Sequence, residues 1–164
     1  MRAAIIIIIS IFTVPVSPVQ SQGLYDLPPF ERAVACIKYF EGLHQAKDYP
    51  YIGYGHRIQP EEHFRLPLTR RQADALLRRD LYKLCRMFSY CGRDSLLIAT
   101  LAYNVGYGTV MGNGKRPKSR LLQKIECGDR NIYNDYITFC RWKGRLIRAI
   151  HIRRKVELEL LYQP

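Results

Sequence analysis

Leu96 to Val105 reads LLIATLAYNV, a stretch that is apolar on nearly every side of a helix. A helix of that kind holds together only when other elements cover it, so the segment predicts a central helix wrapped by amphipathic ones. Candidates for the wrapping are plain. Phe30 to Leu43 sets Phe30, Ala33, Val34, Ile37 and Phe40 at i, i+3, i+4, i+7 spacing and meets Gly42 near its end. Thr69-Arg70-Arg71-Gln72 has the form of a capping box and opens a helix running to about Phe88. Asp94 or Ser95 caps the central helix, and Ser119 caps a short one ending at Gly128. Asp129 to Trp142 and Arg145 to Tyr162 predict two more, split by Lys143-Gly144. Gly106 to Lys118, with four glycines and a proline, reads as a loop. One stretch breaks the helical pattern. Between Asp48 and Ile58, Tyr49, Tyr51, Ile52 and Tyr54 are interrupted by Gly53 and Gly55, which predicts a small hairpin. The expected class is α+β: mostly helical, with a small N-terminal β-hairpin lobe and a C-terminal helical lobe.

With 164 residues the chain is one domain at about 150 residues per domain. Its first 21 residues predict a separate function. Arg2 precedes an apolar run from Ala3 to Val14, which is shorter than the roughly 20 residues a membrane-crossing helix needs. A positive start, an apolar core and Val19-Gln20-Ser21 predict a secretory signal with cleavage after Ser21, the alternative being an uncleaved N-terminal anchor. Residues 22–29 then read as a linker and 30–164 as the folded domain, secreted or periplasmic, monomeric, with no stable membrane anchor after cleavage.

The 26 Lys and Arg against 14 Asp and Glu give a net charge of +12, and the signal holds only one of those charges. A surface this positive favours anionic partners. Export, together with the lack of interleaved basic and aromatic residues, turns the expectation away from nucleic acid. Five cysteines, an odd number without C-x-x-C spacing, predict buried thiols on helix faces rather than disulfides or a metal site.

Glu41 draws attention because it closes an apolar helix and precedes Gly42. Its carboxyl would leave a buried helix end and face the hairpin across a gap. Burial beside Phe40 and the tyrosines would favour the protonated form that a general acid needs. Other charged groups have plainer readings. Arg153, Arg154 and Glu157, at i+3 and i+4, predict a surface or interdomain ion pair worth a few tenths of a kcal/mol. Lys115, Arg116, Lys118 and Arg120 form a positive cluster, either a solvated face or a hold for an anionic wall polymer. Trp142 and the twelve tyrosines divide between sugar stacking and core, with most assigned to the core.

Five blocks, IKYFEGL, YIGYGH, LAYNVGYG, SRLLQKIECGD and RRKVELELL, stand in that order between about residues 34 and 161. The chain resembles the phage-type lysozymes, the muramidases of bacteriophage endolysins, over nearly the whole expected domain. The resemblance implies a lysozyme-like fold and hydrolysis of the β-1,4 bond between N-acetylmuramic acid and N-acetylglucosamine in peptidoglycan. No cofactor or metal is implied, since glycosyl transfer to water needs none. Glu41 is the implied general acid. The family follows that Glu with an Asp and then a Thr before the I-G-x-G-H run, and these hold the attacking water. This chain departs at both places. Tyr51 stands in the Thr position, only ten positions after Glu41, and Asp48 is the one carboxylate between them. Asp48 and Tyr51 are therefore the candidate partners of Glu41, with His44 as a further water-directing candidate. His56 and Tyr54 in the hairpin block and Asn104 in AYNVG are candidates for the substrate side. His56 would buttress the Glu41 site, or serve as a hydrogen-bonded structural residue. The Asn104 amide would bind an N-acetyl group, or cap a helix. Two other readings accompany hydrolysis: a lytic transglycosylase using Glu41 alone, and a cationic wall-binding module without activity.

Overall fold

The computed structural model describes residues 23–163, so the expected signal segment lies outside the described residues. Seven α-helices are described: α1 Pro29–Glu41, α2 Arg70–Met87, α3 Ser95–Val105, α4 Tyr107–Met111, α5 Arg120–Glu126, α6 Tyr133–Ile137 and α7 Arg148–Leu161. Two antiparallel hairpins accompany them, β1 Tyr51–Ile52 with β2 His56–Arg57, and β3 Arg141–Trp142 with β4 Arg145–Leu146. This is the expected mostly helical α+β architecture.

The central helix is α3, and every residue from Leu97 to Ala102 is buried. It packs against α1, α2, α4 and α7. The one hydroxyl in that run, Thr100, returns its hydrogen bond to the Leu96 carbonyl at 2.8 Å, so burial leaves it paired. The face of α1 bearing Ala33, Val34, Cys36 and Ile37 meets α3 and α7, while Leu77 and Leu81 of α2 cover another side. Thr69 caps α2 as its sequence indicates, accepting from the Gln72 N–H while Gln72 accepts from the Thr69 N–H. Ser119 caps α5 in the same sense.

Several expectations give way. The first half of the Gly106–Lys118 stretch is helix α4, set between Gly106 and Gly112, both at φ 86°. The helix expected over Asp129–Trp142 shrinks to α6 and a 3-10 turn at Thr138–Cys140, because the chain then reverses into β3–β4. Lys143 and Gly144, at φ 47° and 78°, are the two central residues of that hairpin turn, a positive pair that matches strand twist. The segment read as a linker holds a 3-10 turn at Leu24–Asp26. The Arg32 guanidinium fastens it by donating to the Tyr25 and Leu27 carbonyls.

All five cysteines are free thiols, but only Cys36, Cys91 and Cys140 are buried, and Cys127 is exposed. Nor are most tyrosines core: Tyr136 is buried, whereas Tyr25, Tyr39, Tyr49, Tyr51, Tyr82, Tyr90 and Tyr133 are exposed. The positive cluster is partly neutralised, Lys118 pairing with Glu126 and Arg120 with Asp135.

Candidate active site

Glu41 is the last residue of α1. Gly42, at φ 66°, ends the helix with its N–H on the Lys38 carbonyl. The carboxyl stands against the β1–β2 turn, where a Cβ added at Gly55 would lie 3.5 Å from Oε2. Glycine at this point lets the hairpin backbone come close to the acid. Two donors converge on the other oxygen, Oε1: Arg153 Nη1 from α7 at 2.7 Å and Asn104 Nδ2 from α3 at 3.2 Å.

Both donors are held in turn. Arg153 Nε donates to Oε1 of Glu157 at 2.8 Å, and Arg154 Nη1 donates to Glu157 Oε2. Arg154 Nη2 donates to the Asn104 side-chain oxygen, which closes a ring of five side chains. Tyr136 donates to Glu157 Oε2 at 2.9 Å. The surface alternative for this expected ion pair is thus wrong: Arg153 is 4% exposed, and Arg154 and Glu157 are fully buried. Their spacing predicted that they would pair. What the spacing lacked was the helix face, which α7 turns toward α1 and α3. The surroundings of Glu41 are likewise more than the apolar ones expected, since the Arg153 guanidinium covers the Phe40 ring at 5.6 Å.

An open groove of about 790 Å³ runs between the hairpin and the C-terminal end of α3. Tyr51, Gly55, Tyr103 and Asn104 are on its walls, and Glu41 is bonded to Asn104 and stands beside Gly55. Tyr103 ties the walls together by donating its hydroxyl to the Tyr54 carbonyl at 3.0 Å.

The other candidates are placed as follows. Tyr51 is exposed on β1 and borders both the groove and a smaller apolar recess of about 270 Å³ behind it. His44 lines that recess, 6.2 Å from Tyr51 ring to ring, and its buried Nδ1 has no hydrogen-bond partner among the described residues. Asp48 ends a 3-10 turn, Ala46–Asp48, and its Oδ2 accepts from the Gln45 N–H at 2.7 Å. Tyr54 packs on the core with Lys38 over its ring at 5.4 Å.

His56 makes its two ring-nitrogen contacts away from Glu41. Nδ1 meets Asp80 at 2.5 Å and Nε2 meets Glu62 at 2.6 Å, while Arg79 also bridges to both acids. Burial works against its charge, but hydrogen bonds to Asp80 and Glu62 outweigh that and raise its pKa above the ordinary 6.5. Glu62 in turn is held down at about 2, first by the Gln59 N–H and, against burial, by His56 and Arg79. The cluster fixes one groove wall to α2, which is the structural role open to His56. Asn104 lies at the end of α3 on the groove, and both ends of its amide are engaged, by Glu41 and Arg154.

A family model described as phage lysozyme matches residues 38–157. Among solved structures, the chain is similar to the muramidase domain of SpmX from Asticaccaulis excentricus, at 25% identity and a TM-score of 0.60. That likeness covers 80% of this chain and 95% of the other. No curated protein matches the chain.

Proposed function

The chain belongs to the phage lysozyme family, and on that premise we propose that it is an exported N-acetylmuramidase. It hydrolyses the β-1,4 bond between N-acetylmuramic acid and N-acetylglucosamine, with Glu41 as general acid. The observation that carries this reading is Glu41 itself: one oxygen takes two donors while the other faces the hairpin beside an open groove. A glycan chain lying in the groove presents its bridging oxygen to Oε2. Proton transfer from Oε2 to that oxygen lets the bond break as positive charge builds on the sugar ring.

Water then attacks from the opposite face, and an inverting enzyme needs a second group about 6.5–9.5 Å from the acid to activate it. Asp48 supplies that carboxylate and Tyr51, bordering the groove, orients the water. Tyr54 and His56 act through the hairpin wall that they anchor, and Asn104 acts from the α3 side through its bond to Glu41. The domain works as a monomer outside the cytoplasm, its positive surface holding it near the anionic wall. One observation favours a second reading. The Asp48 carboxylate already accepts from the Gln45 N–H, and a lytic transglycosylase needs only Glu41, because the sugar's own 6-hydroxyl attacks.

Mass spectrometry of the products released from purified peptidoglycan decides between them. Reducing N-acetylmuramic ends support hydrolysis, and anhydro ends support the transglycosylase. Sedimentation with the wall, lost on adding salt and without soluble products, would instead make the chain a binding module.

A further inference from the structure

We infer that Glu157 and Arg154, neither of which borders the groove, are positioning residues that set which oxygen of Glu41 carries the catalytic proton. The inference rests on Glu41 being the acid of the proposed reaction. Glu41, Arg153, Glu157, Arg154 and Asn104 bond to one another in a closed circuit drawn from α1, α3 and α7, and Tyr136 adds a tie from α6. Ionised, the two acids and two guanidiniums of the ring cancel; with the catalytic proton on Glu41 the ring carries one positive charge.

Each distant member determines the direction of a near one. An amide offers a donor at one end and an acceptor at the other. Because Arg154 donates to the Asn104 oxygen, the Nδ2 end must face Glu41; without Arg154 nothing on that side prefers one end over the other. A guanidinium is planar, so Glu157, by accepting from Arg153 Nε, fixes the plane in which Nη1 reaches Glu41. Both donors then fall on Oε1. The oxygen left beside Gly55 is Oε2, and it is there that a proton can be held and passed to the substrate.

Stability is a poor account of the arrangement. Buried charges lose their water, and apolar side chains of similar volume often stabilise as well or better. What a closed ring adds is orientation, and misplacing a reacting group by about 1 Å can cost on the order of 100-fold in rate.

The test measures kcat and KM on soluble peptidoglycan fragments for the parent, Glu157→Gln and Arg154→Lys. A glutamine has one acceptor and one donor end, so it cannot accept a guanidinium at each end as Glu157 does. Lysine keeps the charge of Arg154 but loses the fork that joins Glu157 to Asn104. Each variant is expected to lower kcat about 10- to 100-fold with KM within about twofold of the parent, in protein that keeps its near-UV circular dichroism. Should a single variant fail to fold, the charge-balanced Arg154→Met/Glu157→Gln double variant leaves the Arg153–Glu41 pair neutral, and the same fall in kcat is expected. A folded variant with parental kcat, or one that loses activity only through KM, overturns the inference while the muramidase reading stands. A parent that releases no product overturns both.

Discussion

Asn104 donates its side-chain amide to Glu41 Oε1 across 3.2 Å, although 63 residues separate the two in sequence. The contact places the end of the central helix against the end of α1, with the hairpin glycine on the far side of the carboxyl. Three elements therefore agree on the position of one acid.

Glu41→Gln keeps the size of that side chain and removes its proton. Release of muropeptides from purified wall is expected to fall roughly 10²- to 10⁴-fold while wall binding is kept. Parental release by this variant would remove Glu41 from its assigned role.

Asp48→Asn asks who activates the water. If Asp48 is the base, release falls at least about 100-fold. A variant that cuts normally and still yields reducing ends shifts the role to another group, with Tyr51→Phe the next substitution to measure.

The His56 cluster should make stability peak in mildly acidic solution. The raised His56 pKa contributes stability that is full below 6.5 and lost as pH rises through its folded value. The lowered Glu62 pKa contributes above 4.5 and is lost as pH falls toward about 2. Thermal melting across pH is expected to be best between those ordinary values. In His56→Gln the alkaline decline should flatten, and an unchanged decline would assign it to other groups.

Thiol chemistry separates the cysteines. Cys127 is exposed, whereas burial pushes the Cys36 thiol up to about 12 and those of Cys85 and Cys91 to about 11. Only thiolates attack, so iodoacetamide should label Cys127 first in folded protein and Cys36 only after unfolding. Peptide mapping after brief labelling reads the order.

Gly112→Ala tests the turn behind α4. The position has φ 86°, and an added Cβ would meet the Lys118 nitrogen at 2.6 Å and the Pro117 carbonyl carbon at 2.8 Å. Both atoms are backbone, so the loop itself must move. A loss of about 1–3 kcal/mol is expected in urea unfolding, and an unchanged midpoint would mean that the loop yields freely.

The covered helix α3 and the capped helices α2 and α5 were legible because periodicity and capping are local. Glu41 was legible through its place at a helix end and through the FEG block. The second hairpin was not. Lys143-Gly144 reads equally as a break between helices, and only the positive φ at both residues makes it a strand-joining turn. Burial of the Arg153–Glu157 group also escaped, since i+3 and i+4 spacing gives neighbours along α7 but not the partner helix. The exposed tyrosines misled for the opposite reason: aromatic rings suggest a core, and hydrophobicity by itself does not say which side of the surface a ring occupies.

The ring around Glu41 spans the order of synthesis. Its acid is made early, 112 residues before Arg153 and further still before Arg154 and Glu157, and domains fold as units. A nascent or prematurely terminated chain carries the acid without its clamp. The carboxyl is therefore aimed only once α7 has been translated and has docked on α1 and α3.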